Sequence, residues 1–232
     1  MSPVKWLALA TCAVAACLGS AFPVSAANIR GVVQFTGTGG EPKKLPVTID
    51  QYVCGKDKDA EDLQMSPQRG VRNAVVWIQN PPPGARGDAA PARVEMDQKG
   101  CVFVPHVVLV PAGGTVEFLN SDRLLHNLHS VGKENPPFNR TQPRGRAIPI
   151  AFAKPEIIRV DCDLHSWMRA WVVVADHPFY ALSNEAGEFV LSGVPPGTYT
   201  LSIWQEALGT STREVTVGAE DARVTIEFKA RR

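Results

Sequence analysis

The sequence is assembled from short β-branched and aromatic runs cut by proline, glycine and asparagine. GVVQF, NAVVWIQ, HVVLV, TVEFL, PEIIRV, AWVVV, GTYTLSIW, REVTV and RVTIEF are all of this kind. Such runs read as strands and the breakers between them as turns. Several alternate: Tyr199, Leu201 and Ile203 fall on one face of a strand, and Val224, Ile226 and Phe228 on one face of another. No long segment carries an apolar helical period. An apolar content of 44% spread over short strands points to sandwiches or open barrels.

The cysteines are read according to compartment. MSPVKWLALATCAVAACLGSAFPVSA has one charge, Lys5, then an apolar run and small residues before Ala27. This fits a secretory signal peptide over residues 1–26, and Gly19, Ser20 and Pro23 interrupt the run too early for a membrane span. A periplasmic or secreted location is expected. VAAC ending at Cys17 also matches a lipobox, which would leave a lipid anchor there instead. Removal of residues 1–26 takes away Lys5 and no acid, leaving 23 basic and 23 acidic residues. Formal neutrality argues against a nucleic-acid partner. Cys54, Cys101 and Cys162 remain, enough for one disulfide and one free thiol. Which two pair depends on Cα separation, which the sequence does not give.

Two segments read as connections. Gln79–Ala92, QNPPPGARGDAAPA, has linker composition, and Val131–Ala147, VGKENPPFNRTQPRGRA, is polar and too long for a hairpin turn.

The chemistry concentrates in DCDLHSWMRAWVVV, where Cys162, His165 and Met168 are spaced by three. A thiolate, two imidazoles and a weak thioether form a copper electron-transfer set. The second imidazole is supplied upstream by FLNSDRLLHNLHS, with His126 and His129. Four of the five histidines, His106, His126, His129 and His165, lie between Gly100 and His165. Cys162 with His126, His129 and His165 could instead close a tetrahedral zinc site. Met168 favours copper, because a thioether adds nothing for zinc. No Ser/His/Asp set or paired-carboxylate motif stands out, so an enzyme is not expected.

Residues 99–176 resemble the cupredoxins, amicyanin-like members above all. The resemblance rests on FVPHVVLVPAGGTVEFLNSD, on HNLH, and on CDLHSWMRAWVVV with its Cys-x2-His-x2-Met spacing. It implies metal ligands His126, Cys162, His165 and Met168, with Asn127 tethering the ligand loops. His129 and His106 stand as supporting residues or an extra ligand. If Cys162 is the thiolate, Cys54 and Cys101 are the expected disulfide. Asp161 and Asp163 flank Cys162 where the amicyanin loop has no acid, and Ser166 and Trp167 replace its proline and phenylalanine. Trp167 beside His165 suits a partner-docking surface. The acids should favour the oxidised metal unless they point into solvent.

From Phe179 onward, GEFVLSGVPPGTYTL resembles the carboxypeptidase regulatory-like domains of transthyretin-like fold. The first strands of such a domain match Ile29–Phe35 and Gly70–Gln79, ahead of the copper segment. The expected fold class is therefore all-β, a Greek-key cupredoxin sandwich plus a transthyretin-like β-sandwich. The expected divisions are residues 27–92 for the N-terminal β-segment, 93–176 for the cupredoxin domain and 177–232 for the regulatory-like domain. The cupredoxin would be an insertion, which is topologically cheap where domain termini lie close together. The resemblance implies one copper ion, single-electron transfer, and an exported redox partner such as a c-type cytochrome or a dehydrogenase. A copper carrier or sensor, or a cell-envelope binding module, are the alternatives.

Overall fold

A computed structural model describes residues 26–39, 42–85 and 92–229 of the protein. The expected signal peptide up to residue 25, with Cys17, lies outside the described residues, as do residues 86–91 of the expected linker. Among the described residues no helix is long and apolar enough to cross a membrane.

The protein is all-β, as its sequence pattern predicts. After β1 (Ala27–Thr36) the chain throws out an arm made of β2 (Lys44–Pro46), the single-turn α1 (Gln51–Cys54) and β3 (Asp57–Asp59). It returns to β4 (Val75–Ile78). There follow β5 (Arg93–Gln98), β6 (Phe103–Val104), β7 (Val107–Pro111), β8 (Thr115–Asn120) and β9 (His126–Val131). Next are β10 (Asn139–Gln142), β11 (Ile148–Ala151), β12 (Glu156–Asp161) and β13 (Arg169–Ala175). The last described strands are β14 (Tyr180–Leu182), β15 (Glu188–Val194), β16 (Gly197–Gln205), β17 (Gly209–Val217) and β18 (Ala222–Lys229).

Strands from the two ends of the sequence build one sandwich. β1 runs parallel to β18 and antiparallel to β15, opposite a sheet ordered β14-β4-β16-β17. The alternation read from the sequence is the core pattern: Tyr199, Leu201 and Ile203 point inward with Ile226 and Phe228, against Ile29, Val33 and Phe35. Gly31 continues the inward row of β1, and the Phe189 ring takes its side-chain space, since an added Cβ would lie 2.5 Å from that ring.

The intervening strands build a second sandwich, from sheets β10-β9-β12-β13-β7 and β11-β8-β5-β6. Its core includes Phe103, Phe118, Phe152, Leu128 and Ile158, and also Cys162 and Met168. The segment Val131–Ala147 is not loop throughout, because β10 pairs with β9 inside it. Three of the four β10 residues are exposed at the sheet edge, so the strand has no apolar alternation to betray it.

The sandwiches meet face to face around Val75, Val107 and Val173, with Trp77, Trp171 and Trp204 packed beside them. The Trp171 and Trp204 rings meet edge-on at 4.8 Å. This explains the unbroken apolar run of β13: Ala170, Val172 and Val174 enter the second core while Trp171 and Val173 face the other sandwich. Beside this seam the buried His106 pairs with Glu206 through Nε2 and approaches Glu61 at 3.6 Å through Nδ1.

The arm departs from the expected grouping of residues 27–92. Val47 and Cys54 are buried in the second core, not in that of β1. The disulfide between Cys54 and Cys101 is formed, with Cα atoms 5.4 Å apart, and staples the arm there. Among the described residues Cys162 is the free cysteine, and it is buried.

Candidate metal centre

Two turns at one end of the second sandwich deliver the ligand atoms. The first links β8 to β9. Asn120 donates through Nδ2 to the carbonyls of Leu124 (3.0 Å) and Gln142 (2.8 Å). Its Oδ1 accepts from the Asp122 N–H at 3.1 Å, which fixes the turn as His126 enters β9. The second turn links β12 to β13, whose last pair is Asp161 with Arg169. It is pinched shut where Cys162 N–H donates to the Met168 carbonyl (3.1 Å) and Met168 N–H to the His165 carbonyl (2.9 Å).

These turns bring Cys162 Sγ, His126 Nδ1 and His165 Nδ1 together. The two nitrogens are 3.0 Å apart, and they lie 4.0 and 3.6 Å from the sulfur. Metal–nitrogen bonds of about 2.0 Å and a metal–sulfur bond of about 2.3 Å in a trigonal set would give about 3.5 Å and about 3.7 Å. The sulfur–nitrogen sides are close to those a metal ion requires, and the two nitrogens would part by about 0.5 Å to admit it. His126, Cys162 and His165 are 0%, 2% and 1% exposed, and Met168 is buried in the same core.

The outer nitrogens explain why the inner ones attract a cation. His126 Nε2 meets the Asp122 carboxylate at 3.0 Å, and His165 Nε2 meets that of Asp50 at 3.0 Å. An ionised carboxylate only accepts, so each Nε2 carries the proton and each neutral ring turns its Nδ1 lone pair inward. Three electron-rich atoms therefore converge. Without a metal ion a proton is drawn in. Burial opposes charge on His126, but Asp122 and Cys162 outweigh it and raise its pKa from 6.5 to about 9. Burial likewise opposes the thiolate, yet the His126, Asn127 and His165 donors bring Cys162 from 9.0 down to about 7. An environment that favours imidazolium beside thiolate favours a bound cation in the same place.

Asn127 links the two turns. Its Oδ1 accepts from the Asp163 N–H at 2.5 Å, and its Nδ2 donates to Asn139 and to the Asp163 carboxylate. Asp163 is also held by Asn139 Nδ2 (2.7 Å) and by His129 Nδ1 (2.8 Å). His129 is thus engaged with Asp163, outside the converging triad, and the tetrahedral set with His126 and His165 is not assembled. His106 sits at the seam between the sandwiches. Asp161 is matched by Arg159 (2.7 Å) and Arg169 (2.9 Å), which offsets its charge near Cys162. The half-buried Trp167 lies 5.2 Å from the His165 ring and donates its indole N–H to the Cys101 carbonyl, so it packs against the disulfide region. Sequence reasoning missed Asp122 and Asp50. Asp122 precedes His126 by four residues and could have been considered, whereas Asp50 lies 115 residues from His165 and gives no local signal.

Residues 143–225 match the family model described as polysaccharide lyase family 4, domain II. No curated protein matches the chain. Similar solved structures include the copper-containing nitrite reductase (NirK) from Thermus scotoductus SA-01, with 26% identity and a TM-score of 0.34. That likeness covers 41% of this chain and 25% of the reductase, so the chain spans a quarter of that protein's length. A purple cupredoxin from Nitrosopumilus maritimus is 20% identical over 35% of this chain and 99% of its own, at a TM-score of 0.32. An amicyanin point mutant in its reduced state is 22% identical over 43% of this chain and 98% of its own, at a TM-score of 0.34.

Proposed function

We propose that the protein is an exported copper protein that passes single electrons. The convergence of His126 Nδ1, His165 Nδ1 and Cys162 Sγ in a buried triangle carries this reading. His126, Cys162 and His165 would hold one copper ion, with Met168 as the weak fourth ligand. Copper bound there supplies a one-electron couple. The chain's own part is to keep the ligand atoms still: Asp122 and Asp50 orient the imidazoles, and Asn127 locks the two turns together. A donor set that does not move suits both oxidation states, so little reorganisation accompanies the transfer. With Met168 as fourth ligand to a buried ion, such a site would leave no position open to a substrate, and this supports electron transfer over catalysis. A thiolate with imidazoles and a thioether selects copper before zinc. The electron partner would be another exported redox protein, such as a c-type cytochrome or a dehydrogenase. The metal-binding sandwich reads as an insertion between the strands of the other.

Copper(II) titration of the purified protein tests this. An intense visible thiolate-to-metal band and a reversible voltammetric wave are expected, and Cys162→Ser should abolish the band. Colourless tight binding of copper(I) would point to a copper carrier instead, and a protein that binds no copper would end the reading.

A further inference from the structure

The group over His165 comes from a distant part of the chain. Asp50 precedes α1 and adopts a left-handed conformation, φ 55° and ψ 32°, which Asp tolerates better than most residues. It occupies the N-cap position, where an Asp side chain ordinarily accepts from the first-turn N–H groups. Its side chain makes no such bond. The carboxylate instead reaches across to His165 Nε2 at 3.0 Å. A helix start that forgoes its own cap to contact a residue 115 positions away shows local geometry serving the site.

The arm is fastened close to Asp50. Gln51 Nε2 donates to the Val47 carbonyl at 2.6 Å, Val47 is buried in the second core, and Cys54 is bonded to Cys101. Cys101 N–H donates to Asp122, the residue that orients the other imidazole. The disulfide thus ties together the supports of both histidines.

We propose that residues 44–59 form a latched cap. Asp50 is the positioning residue of His165, the Cys54–Cys101 disulfide holds it there, and metal enters and leaves when the arm lifts. The regulation of metal exchange rests on the copper reading above, whereas the cap itself can be tested without metal.

Metal-free protein is treated with diethyl pyrocarbonate, and acylation is read histidine by histidine by peptide mass spectrometry. His165 should be protected in the native protein. In Cys54→Ala/Cys101→Ala its acylation should rise by about tenfold or more through local opening. His126, whose Nε2 meets Asp122 and no residue of the arm, should be acylated less than His165 in that variant. Equal exposure of His126 and His165 would mean general unfolding and would overturn the latch, as would an unchanged His165 rate. Asp50→Asn keeps the disulfide and tests positioning alone. It should weaken metal binding by about 10–100-fold and raise the copper potential, with circular dichroism unchanged and Asp50→Glu partly restoring both. For the copper-loaded protein, transfer to a copper(I) chelator should be faster in the latch-free variant; an equal rate would overturn gating. If the native protein binds no copper, the function falls while His165 acylation still decides the cap.

Discussion

The seam between the sandwiches yields a prediction whose size follows from one histidine. His106 is buried between Glu206 on one side and Glu61 on the other, while Trp171 donates its indole N–H to Glu206 at 2.8 Å. Burial opposes its charge, but the hydrogen bond to Glu206 and the nearby carboxylate of Glu61 outweigh that and raise its pKa from 6.5 to about 9. A folded-state pKa above the unfolded one stabilises the protein fully below about pH 6.5, and the gain is lost as pH rises through about 9. The shift corresponds to about 3 kcal/mol, at about 1.36 kcal/mol per pH unit, a large share of a typical domain's stability. The assay is denaturant unfolding of wild type and His106→Gln at several values from pH 6 to pH 10. His126 and Cys162 titrate in the same window but are common to both proteins, so their contributions cancel in the difference. The wild-type advantage should shrink by about 3 kcal/mol across the range. A difference that is flat with pH, or that grows as pH rises, would refute the ion-paired seam.

Other perturbations probe packing and the ligand turns. Gly70→Ala would place a Cβ 1.8 Å from the Ala186 carbonyl oxygen, a backbone atom that cannot rotate away. It should cost about 1–3 kcal/mol or more, seen as a lower melting temperature; an unchanged melt would contradict the close approach. Asn127→Ala removes the acceptor of the Asp163 N–H and should lower copper affinity by about 10–100-fold in a competitive chelator titration without altering far-ultraviolet circular dichroism.

A strand is legible where one face is buried and the other wet, as in β18, because burial imposes the period of two that the sequence displays. β10 is not, since an edge strand of polar residues buries too little to leave a pattern. β13 reads as uniformly apolar because it is covered on both faces, a fact that depends on the second sandwich. At the site, the spacing of Cys162, His165 and Met168 was readable because one short turn holds all three. The Cys54–Cys101 bond follows from the sequence only if Cys162 is the metal thiolate, because the spacing of three cysteines leaves the pairing open. Asp50 left no trace in the sequence near His165: its role arises from the arm folding onto the far sandwich, and contacts at a separation of 115 residues have no periodicity to reveal them. The acids beside Cys162 show the converse. Asp161 and Asp163 are conspicuous in the sequence, yet arginine, asparagine and histidine partners take up both of them.

X-ray absorption at the copper edge of the loaded protein tests the central claim most directly, because it counts the atoms bound to the metal. The triangle of His126, His165 and Cys162 predicts two imidazole nitrogens and one short sulfur scatterer, with the short sulfur lost in Cys162→Ser. A first shell of nitrogen and oxygen only, or one unchanged by Cys162→Ser, would contradict it.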